Sequence, residues 1–302
     1  MFPNLDFVGG WRLWFSISGA LLLLSAGAIA LGNLNFGIDF QGGTQFTVVN
    51  AKQQPTDDEI ISSLPEGIDR DAVQIQTLGQ DGYEVRTEEL SDSESQAAQQ
   101  ELSQQLGVQA DEVGVTRVSP AFGGQVRNQA LQAVAAALLI IVVFISFRFE
   151  FAFALAAMVA LLHDILVTVG FYALVGREVS LVTVVAVLTV LGYSIYDTII
   201  IFDRIRENTP TAGYNRRRFD EMVNTSIRQV VRRSIYTSVF SLIPITALLI
   251  FGEATLADFA FALLVGIAAG TYSSIFIASP ALALYKAWRA GRLRTARASR
   301  TA

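Results

Sequence analysis

Six apolar runs, each about as long as a bilayer is thick, constrain this chain more than any other feature of its sequence. A helix needs roughly 20 apolar residues to cross a hydrocarbon core of about 30 Å. Residues 13–31, 128–147, 151–175, 179–202, 234–252 and 257–285 qualify, and a polar insertion, residues 32–127, separates the first two. Of the 302 residues 52% are hydrophobic and 16% charged, where soluble domains carry about 25% charged residues. The expected architecture is a polytopic α-helical membrane protein with six transmembrane helices and one folded domain outside the bilayer. No small-residue cleavage site clearly follows the first run, so it is expected to be a retained span and not a removed signal peptide.

Orientation follows from Lys and Arg, which accumulate in cytoplasmic loops. With residues 1–12 placed inside, sixteen of the 22 basic residues fall in the cytoplasm: Arg12, Arg148, eight arginines in the loop 203–233, and six basic residues in the tail 286–302, which has no acid. Both termini are expected to be cytoplasmic. A basic tail could touch anionic lipid or RNA, but it reads as a topology signal at a solvated helix end. No nucleic-acid function is expected. The chain has no cysteine and a single histidine, His163, which argues against disulfides, iron–sulfur clusters, thiolate zinc sites and histidine clusters. No cofactor or metal is expected, and the lack of a Walker A pattern leaves no nucleotide site of that kind.

The insertion reverses the charge: sixteen acidic residues stand against Lys52, Arg70, Arg86, Arg117 and Arg127. Gln45–Val49 alternates like a strand, and Thr56 before Asp57, Asp58 and Glu59 caps a short helix reaching about Ser63. Val73–Thr77 and Tyr83–Thr87 read as strands joined by a Gly79-Gln80-Asp81-Gly82 turn. Ser93–Leu106 reads as a helix stopped by Gly107, and Val113–Val118 as a closing strand. The order β-α-β-β-α-β predicts an extracytoplasmic α+β domain of the ferredoxin-like, split βαβ type, with two helices on an antiparallel sheet.

Ionisable groups inside spans are costly and mark function by default. His163 and Asp164 fall midway along the third run, Asp197 near the cytoplasmic end of the fourth, and Asp258 at the outer edge of the sixth, where it reads as an N-cap-like acid favoured by the helix dipole. Asp197 lies in Gly192-Tyr193-Ser194-Ile195-Tyr196-Asp197-Thr198, a small and polar break in an aliphatic helix, with Arg204 on the same face seven residues on. Burial disfavours the charged form of such a carboxylate and a nearby arginine favours it, the balance a protonatable relay requires. Arg233, at the start of the fifth run, is placed either to reach Asp197 or to snorkel, like Arg232, to lipid phosphates. In the sixth run Gly266 and Gly270 form a GxxxG, extended by Thr271, Ser273 and Ser274, whose expected use is close packing against another helix of the bundle or of a partner.

Five segments together resemble the SecF family, membrane subunits of the SecDF protein-export complex within the proton-driven RND transporters. Gly37-Ile38-Asp39-Phe40-Gln41-Gly42-Gly43-Thr44 is similar to the family's entry into its outer domain, and Ser119-Pro120 with Gly124 to the exit. GYSIYDTIIIFDRIREN, residues 192–208, resembles its fourth span, Arg233-Ser234-Ile235-Tyr236-Thr237-Ser238 the start of its fifth, and GTYSSIFIASP, residues 270–280, its sixth. Gly192, Ser194, Thr198, Gly266, Gly270 and Ser273 belong to these motif and packing positions. The resemblance covers nearly the whole chain. It implies a non-enzymatic subunit in the bacterial cytoplasmic (inner) membrane that works beside SecD, each giving six helices to a twelve-helix bundle. The pair would assist the SecYEG channel and an emerging preprotein at the expense of the proton-motive force. It implies Asp197 as the carboxylate of a proton pathway, Arg233 as its basic partner, and Asp164 as a pathway or structural group. One position departs: the family usually has Asn before that Asp, and here Tyr196 stands. Two other readings are a half-size RND exporter of small lipophiles, assembled as a homodimer, and an intramembrane aspartyl protease using Asp197 and Asp164. Proteases of that type carry GxGD at the second aspartate, whereas Asp164 follows Leu162-His163.

Overall fold

The computed structural model describes residues 5–32, 34–78, 81–209 and 215–301. Helix α1 (Trp11–Ala30) is followed by strand β1 (Asn35–Phe36) and the single turn α2 (Ile38–Gln41). The inserted domain then runs β2 (Gly43–Val48), α3 (Asp57–Ser63), β3 (Gln74–Leu78), β4 (Gly82–Thr87), α4 (Asp92–Leu106) and β5 (Val113–Val118). Its four strands form one antiparallel sheet in the order β3-β4-β2-β5. Phe46 of β2 stands opposite Val85 of β4 and Val115 of β5. Phe46, Val48, Tyr83, Val85 and Val113 bury one sheet face against Ile60 of α3 and Ala98, Leu102 and Leu106 of α4. Local chemistry fixes both helix starts: the Glu59 carboxylate accepts from the Thr56 N–H at 2.8 Å, and Glu94 from the Ser91 N–H at 2.9 Å. Such reciprocal caps satisfy N–H groups that a first turn leaves unpaired. Gly107 ends α4 in the left-handed region, φ 68°, as expected of a glycine stop. Of the turn joining β3 to β4, Gly79 and Gln80 lie outside the described residues.

The chain continues as α5 (Pro120–Arg148), α6 (Phe151–Val175), β6 (Glu178–Val179), α7 (Leu181–Asn208), α8 (Arg216–Phe251) and α9 (Ala254–Ser273). A π-helical turn (Ser274–Ala278) then leads into α10 (Ser279–Thr301). Among the described residues six helical segments are long and apolar enough to cross a membrane, the sixth running through the π turn over Thr255–Arg292. Helix α9 packs against α6, α7 and α8, and α1 packs against α6.

Several stretches extend the helices beyond their apolar runs. Helix α5 starts at Pro120, because the Ser119 hydroxyl accepts from the Phe122 N–H and proline suits a first turn. The stretch 203–233 is mostly helical, not a loop: α7 runs to Asn208 and α8 starts at Arg216. Asn215 caps α8 by accepting from the Arg218 N–H at 3.2 Å. Arg216–Asp220 and Arg217–Glu221 pairs, four residues apart, support its exposed first turns. Residues 210–214 of that stretch, and the side chains of Arg294, Arg297 and Arg300 in the tail, lie outside the described residues.

Candidate functional site

The polar groups of the bundle meet because small residues let α9 lie directly on α7. A Cβ on Gly266 would sit 2.3 Å from Val190 Cγ2, and one on Gly270 would sit 2.8 Å from Ser194 Cβ. The GxxxG is therefore used inside this chain. It brings Ser273 of α9 and Ser194 of α7 to opposite sides of Asp164 on α6. Asp164 is fully buried, and its Oδ2 accepts from Ser194 Oγ at 2.6 Å and from Ser273 Oγ at 2.9 Å. Its Oδ1 lies 3.0 Å from His163 Nδ1. Three polar partners offset the cost of burying this carboxylate. The buried His163 Nε2 finds no hydrogen-bond partner among the described residues. Below this cluster Thr198 and Ser274 hydroxyls lie 2.8 Å apart, and Ser274 Oγ donates to the Gly270 carbonyl at 2.8 Å. The π turn starts at Ser274, and such bulges reshape helices where side chains must converge.

Asp197 is served differently. It is 2% exposed, and its Oδ2 has no hydrogen-bond partner among the described residues. The polar groups acting on it come from α8, Ser234 and Arg233, and the Ser234 hydroxyl is likewise buried without a partner among the described residues. Arg233 makes no ion pair with Asp197. Its Nη2 donates instead to the Tyr196 hydroxyl at 3.2 Å, at the position where this sequence carries Tyr for Asn. The expected pairing of Arg233 with Asp197 is thus absent here, because a neighbouring phenol holds the guanidinium. Asp164 and Asp197 make no hydrogen bond to each other among the described residues. Gly192 faces open space.

Two other positions differ from expectation. Arg204 does not approach Asp197; it bonds Gln229 of α8 and, at 2.8 Å, Glu207. Asp258 is not an N-cap, since α9 starts at Ala254 and Asp258 falls in its second turn. It turns inward, pairs with Arg177, and its carbonyl accepts from the Tyr172 hydroxyl.

The segment entering the inserted domain forms a second constellation. Strands β1 and β6 pair in parallel, Asn35 opposite Glu178 and Phe36 opposite Val179, so the link after α1 is stitched to the link between α6 and α7. The Gly37 N–H donates to the Val179 carbonyl at 3.0 Å. Asp39 Oδ2 accepts from the N–H of Leu181, the first residue of α7, at 3.0 Å. That carboxylate caps a helix 142 residues away. Removing such a cap costs about 1 kcal/mol. Asp39→Ala is therefore expected to lower the unfolding temperature in detergent by a few degrees, with Asp39→Asn closer to wild type; equal losses for both would dismiss the cap.

Beside this link Arg86 of β4 joins the sheet to the bundle. It is 4% exposed, bridging Glu84 (Nε–Oε1 2.8 Å) and Glu178 (Nη2–Oε2 3.0 Å) and donating to Asn35 at 3.2 Å and Gln76 at 3.0 Å. A cavity of about 130 Å³ adjoins it, with Asp39, Glu84, Glu178 and Asp258 among its lining residues. Glu178 is pushed up to about 8 by burial, which outweighs the attraction of Arg86, while Glu84 adds repulsion. A raised carboxyl binds its proton more tightly in the folded chain than in the unfolded one. Its contribution to stability is therefore complete below about 4.5 and declines as pH rises to about 8. Glu178→Gln is expected to flatten the fall of unfolding temperature across that window, and parallel curves for variant and wild type would refute the assignment. Sequence reasoning did not single out Glu84, Arg86, Arg177 or Glu178. The one available signal was the charged Arg177-Glu178 pair in a very short link between two spans.

The fold and these sites define a multi-pass membrane protein with carboxylates buried among its central helices and a folded insert between its first two spans. The family profile described as "Protein export membrane protein SecD/SecF, C-terminal" matches residues 98–288, and the "SecD/SecF GG Motif" matches residues 34–49. The protein translocase subunit SecF of Streptomyces coelicolor is 38% identical over 285 residues, covering 92% of this chain and 76% of that protein. SecF of Desulfurispirillum indicum is 39% identical over 282 residues, covering 90% and 89%. A crystal structure of Thermus thermophilus SecDF, titled a translocon-associated membrane protein, superposes with a TM-score of 0.85 at 35% identity. It covers 94% of this chain, which spans 39% of that longer one. SecDF in a super-membrane-facing form gives a TM-score of 0.70 at 33% identity, over 97% of this chain and 40% of that one. The chain belongs to the SecD/SecF family of protein-export membrane proteins. Its relatives are named as protein translocase subunits, and its role lies in Sec protein export.

Proposed function

We propose that this chain is the SecF-type half of a complex with SecD in the bacterial cytoplasmic membrane, where the proton-motive force drives late preprotein translocation through the SecYEG channel. The observation that carries the reading is Asp197, buried in an apolar span with a carboxylate oxygen that no described residue satisfies. A charge at that depth costs several kcal/mol, which is why intramembrane carboxylates accompany ion paths. The proton is the expected coupling ion. Deprotonated Asp197 attracts Arg233 away from Tyr196; protonated Asp197 leaves Arg233 with the phenol. The alternation changes how α8 sits on α7, and Asp164, tied to α7 by Ser194 and to α9 by Ser273, follows the same packing. Each charge moved down the potential supplies about 2.3 kcal/mol per 100 mV.

Thermus thermophilus SecDF, a single chain of which this one spans 39%, supports SecD as the source of the other helices. The strand order β3-β4-β2-β5 with helices on one face supports the ferredoxin-like reading of the insert. The bias of basic residues supports cytoplasmic termini and an acidic domain on the outer side, where it would hold and release the emerging preprotein. The test is preprotein export into vesicles reconstituted with this chain, SecD and SecYEG, collapsing the proton and sodium gradients separately. Loss of the late stimulation with the proton gradient alone is the expected result. Stimulation that survives proton collapse and disappears with sodium reassigns the coupling ion, and indifference to both removes the proposed mechanism.

A further inference from the structure

We propose that a basic pocket at the end of the bundle opposite the inserted domain binds the phosphate of an anionic phospholipid. The pocket holds about 350 Å³ and lies between the end of α5, the start of α6, the end of α7 and Lys286 of α10, a volume within the range of small-ligand sites. Three cations line it: Arg148, Arg206 and Lys286. They sit over aromatic rings, Arg148 at 5.3 Å and Arg206 at 5.9 Å from the Phe149 ring, and Lys286 at 4.9 Å from that of Phe153. Such contacts hold the cations in place without neutralising them.

The charges do not cancel. Arg148 pairs with Asp203 at 3.1 Å and Lys286 with Glu150 at 3.2 Å. Arg206 has no carboxylate within ion-pair distance among the described residues; it donates to the Arg148 carbonyl at 3.0 Å. One positive charge is left over. The Glu150 side chain is 66% exposed, so its pair with Lys286 is a weak surface pair that a phosphate can displace. Arginine's planar fork suits phosphate oxygens.

The position selects a lipid over a free anion. Only Phe149 and Glu150 separate α5 from α6, so two apolar spans turn at this depth. Phe147 and Phe151, flanking the turn, are 90% and 63% exposed, an apolar surface suited to acyl chains. Tyr285 and Trp288 of α10 pair at 5.8 Å, and Arg292 lies over the Trp288 ring, the amphipathic composition of a membrane–water interface. Basic pockets between spans at this level suit anionic headgroups.

Native mass spectrometry of the full chain in detergent tests this, with phosphatidylglycerol, phosphatidylcholine and inorganic phosphate as probes. Phosphatidylglycerol is expected to be retained at least about tenfold better than phosphatidylcholine. Arg206→Ala with Lys286→Ala should lose about tenfold of that retention, Arg206→Lys most of it less, and Arg217→Ala, outside the pocket, none. An unchanged unfolding temperature without lipid shows that the double variant is folded; should it fail to fold, the Arg206→Ala single variant carries the comparison. Equal retention of the two lipids, or equal loss with Arg217→Ala, overturns the site. Inorganic phosphate that stabilises the lipid-free protein and blocks phosphatidylglycerol only in the wild type assigns the pocket to free phosphate and overturns the lipid reading.

Discussion

Asp197→Asn is expected to erase the gradient-dependent part of export while leaving the chain folded. The amide occupies the volume of the carboxylate but cannot exchange a proton, so charge at this depth no longer alternates. The fold should tolerate it, because Oδ2 makes no hydrogen bond among the described residues, and a neutral group in an apolar span is cheaper than a charged one. In vesicles the increment of export rate added by the proton gradient should fall at least about tenfold, a loss of about 1.4 kcal/mol of coupling or more, with the gradient-free rate intact. An undiminished increment would sink the role given to Asp197. Asp164→Asn is a useful contrast, since it disturbs the satisfied Ser194 and Ser273 bonds; it should lower stability along with rate.

The second large effect is structural. Gly43→Ala is expected to destabilise the attachment of the inserted domain by about 3 kcal/mol, combining backbone strain with a forced displacement. Gly43 has φ +127° and its missing Cβ would lie 2.4 Å from the Thr87 carbonyl oxygen. Thr87 ends β4 and pairs with Thr44, so relief means prising β2 from β4. Gly42→Ala should behave alike, as a Cβ there would lie 2.6 Å from Pro120 Cα at φ +79°. Gly37→Ala should be milder, because its added methyl meets the Glu178 carboxylate, the end of a flexible side chain. Thermal unfolding of the three variants in detergent checks the ranking, and a Gly37 variant as damaged as the Gly43 variant would refute the steric account.

Most of this architecture is legible in the sequence because its determinants are local. Apolar runs mark spans, and Thr56 and Gly107 bound the domain helices with cap chemistry that needs no tertiary knowledge, while the start of α4 lies at Asp92 under a Ser91 cap, one residue before the Ser93 read from the sequence. Asp197 stands out because a carboxylate in an apolar run is anomalous wherever its partners lie. The true start of α8 is hidden by its charge: arginines that look like a loop form pairs four residues apart along a helix. Glu84 and Arg86 are hidden more deeply. They alternate with Tyr83 and Val85, as the polar face of any half-exposed strand would, and only the approach of Glu178, far along the chain, shows that the face is covered. The position of Arg233 is decided by side-chain reach between two helices, and no periodicity records whether a guanidinium bonds Tyr196 or Asp197.

The cap that Asp39 places on Leu181 also has a mechanical consequence. Helix α7 runs unbroken from that cap to Asp197, sixteen residues or about 24 Å at 1.5 Å per residue. The buried carboxylate and the root of the inserted domain thus sit on one rod, the root at its first turn and the carboxylate well along it. A tilt of only about 5° at Asp197 would displace the root by about 2 Å over that length, too far for a 3.0 Å hydrogen bond to stretch. The joint has no slack, so the domain either travels with the rod or lets go of it.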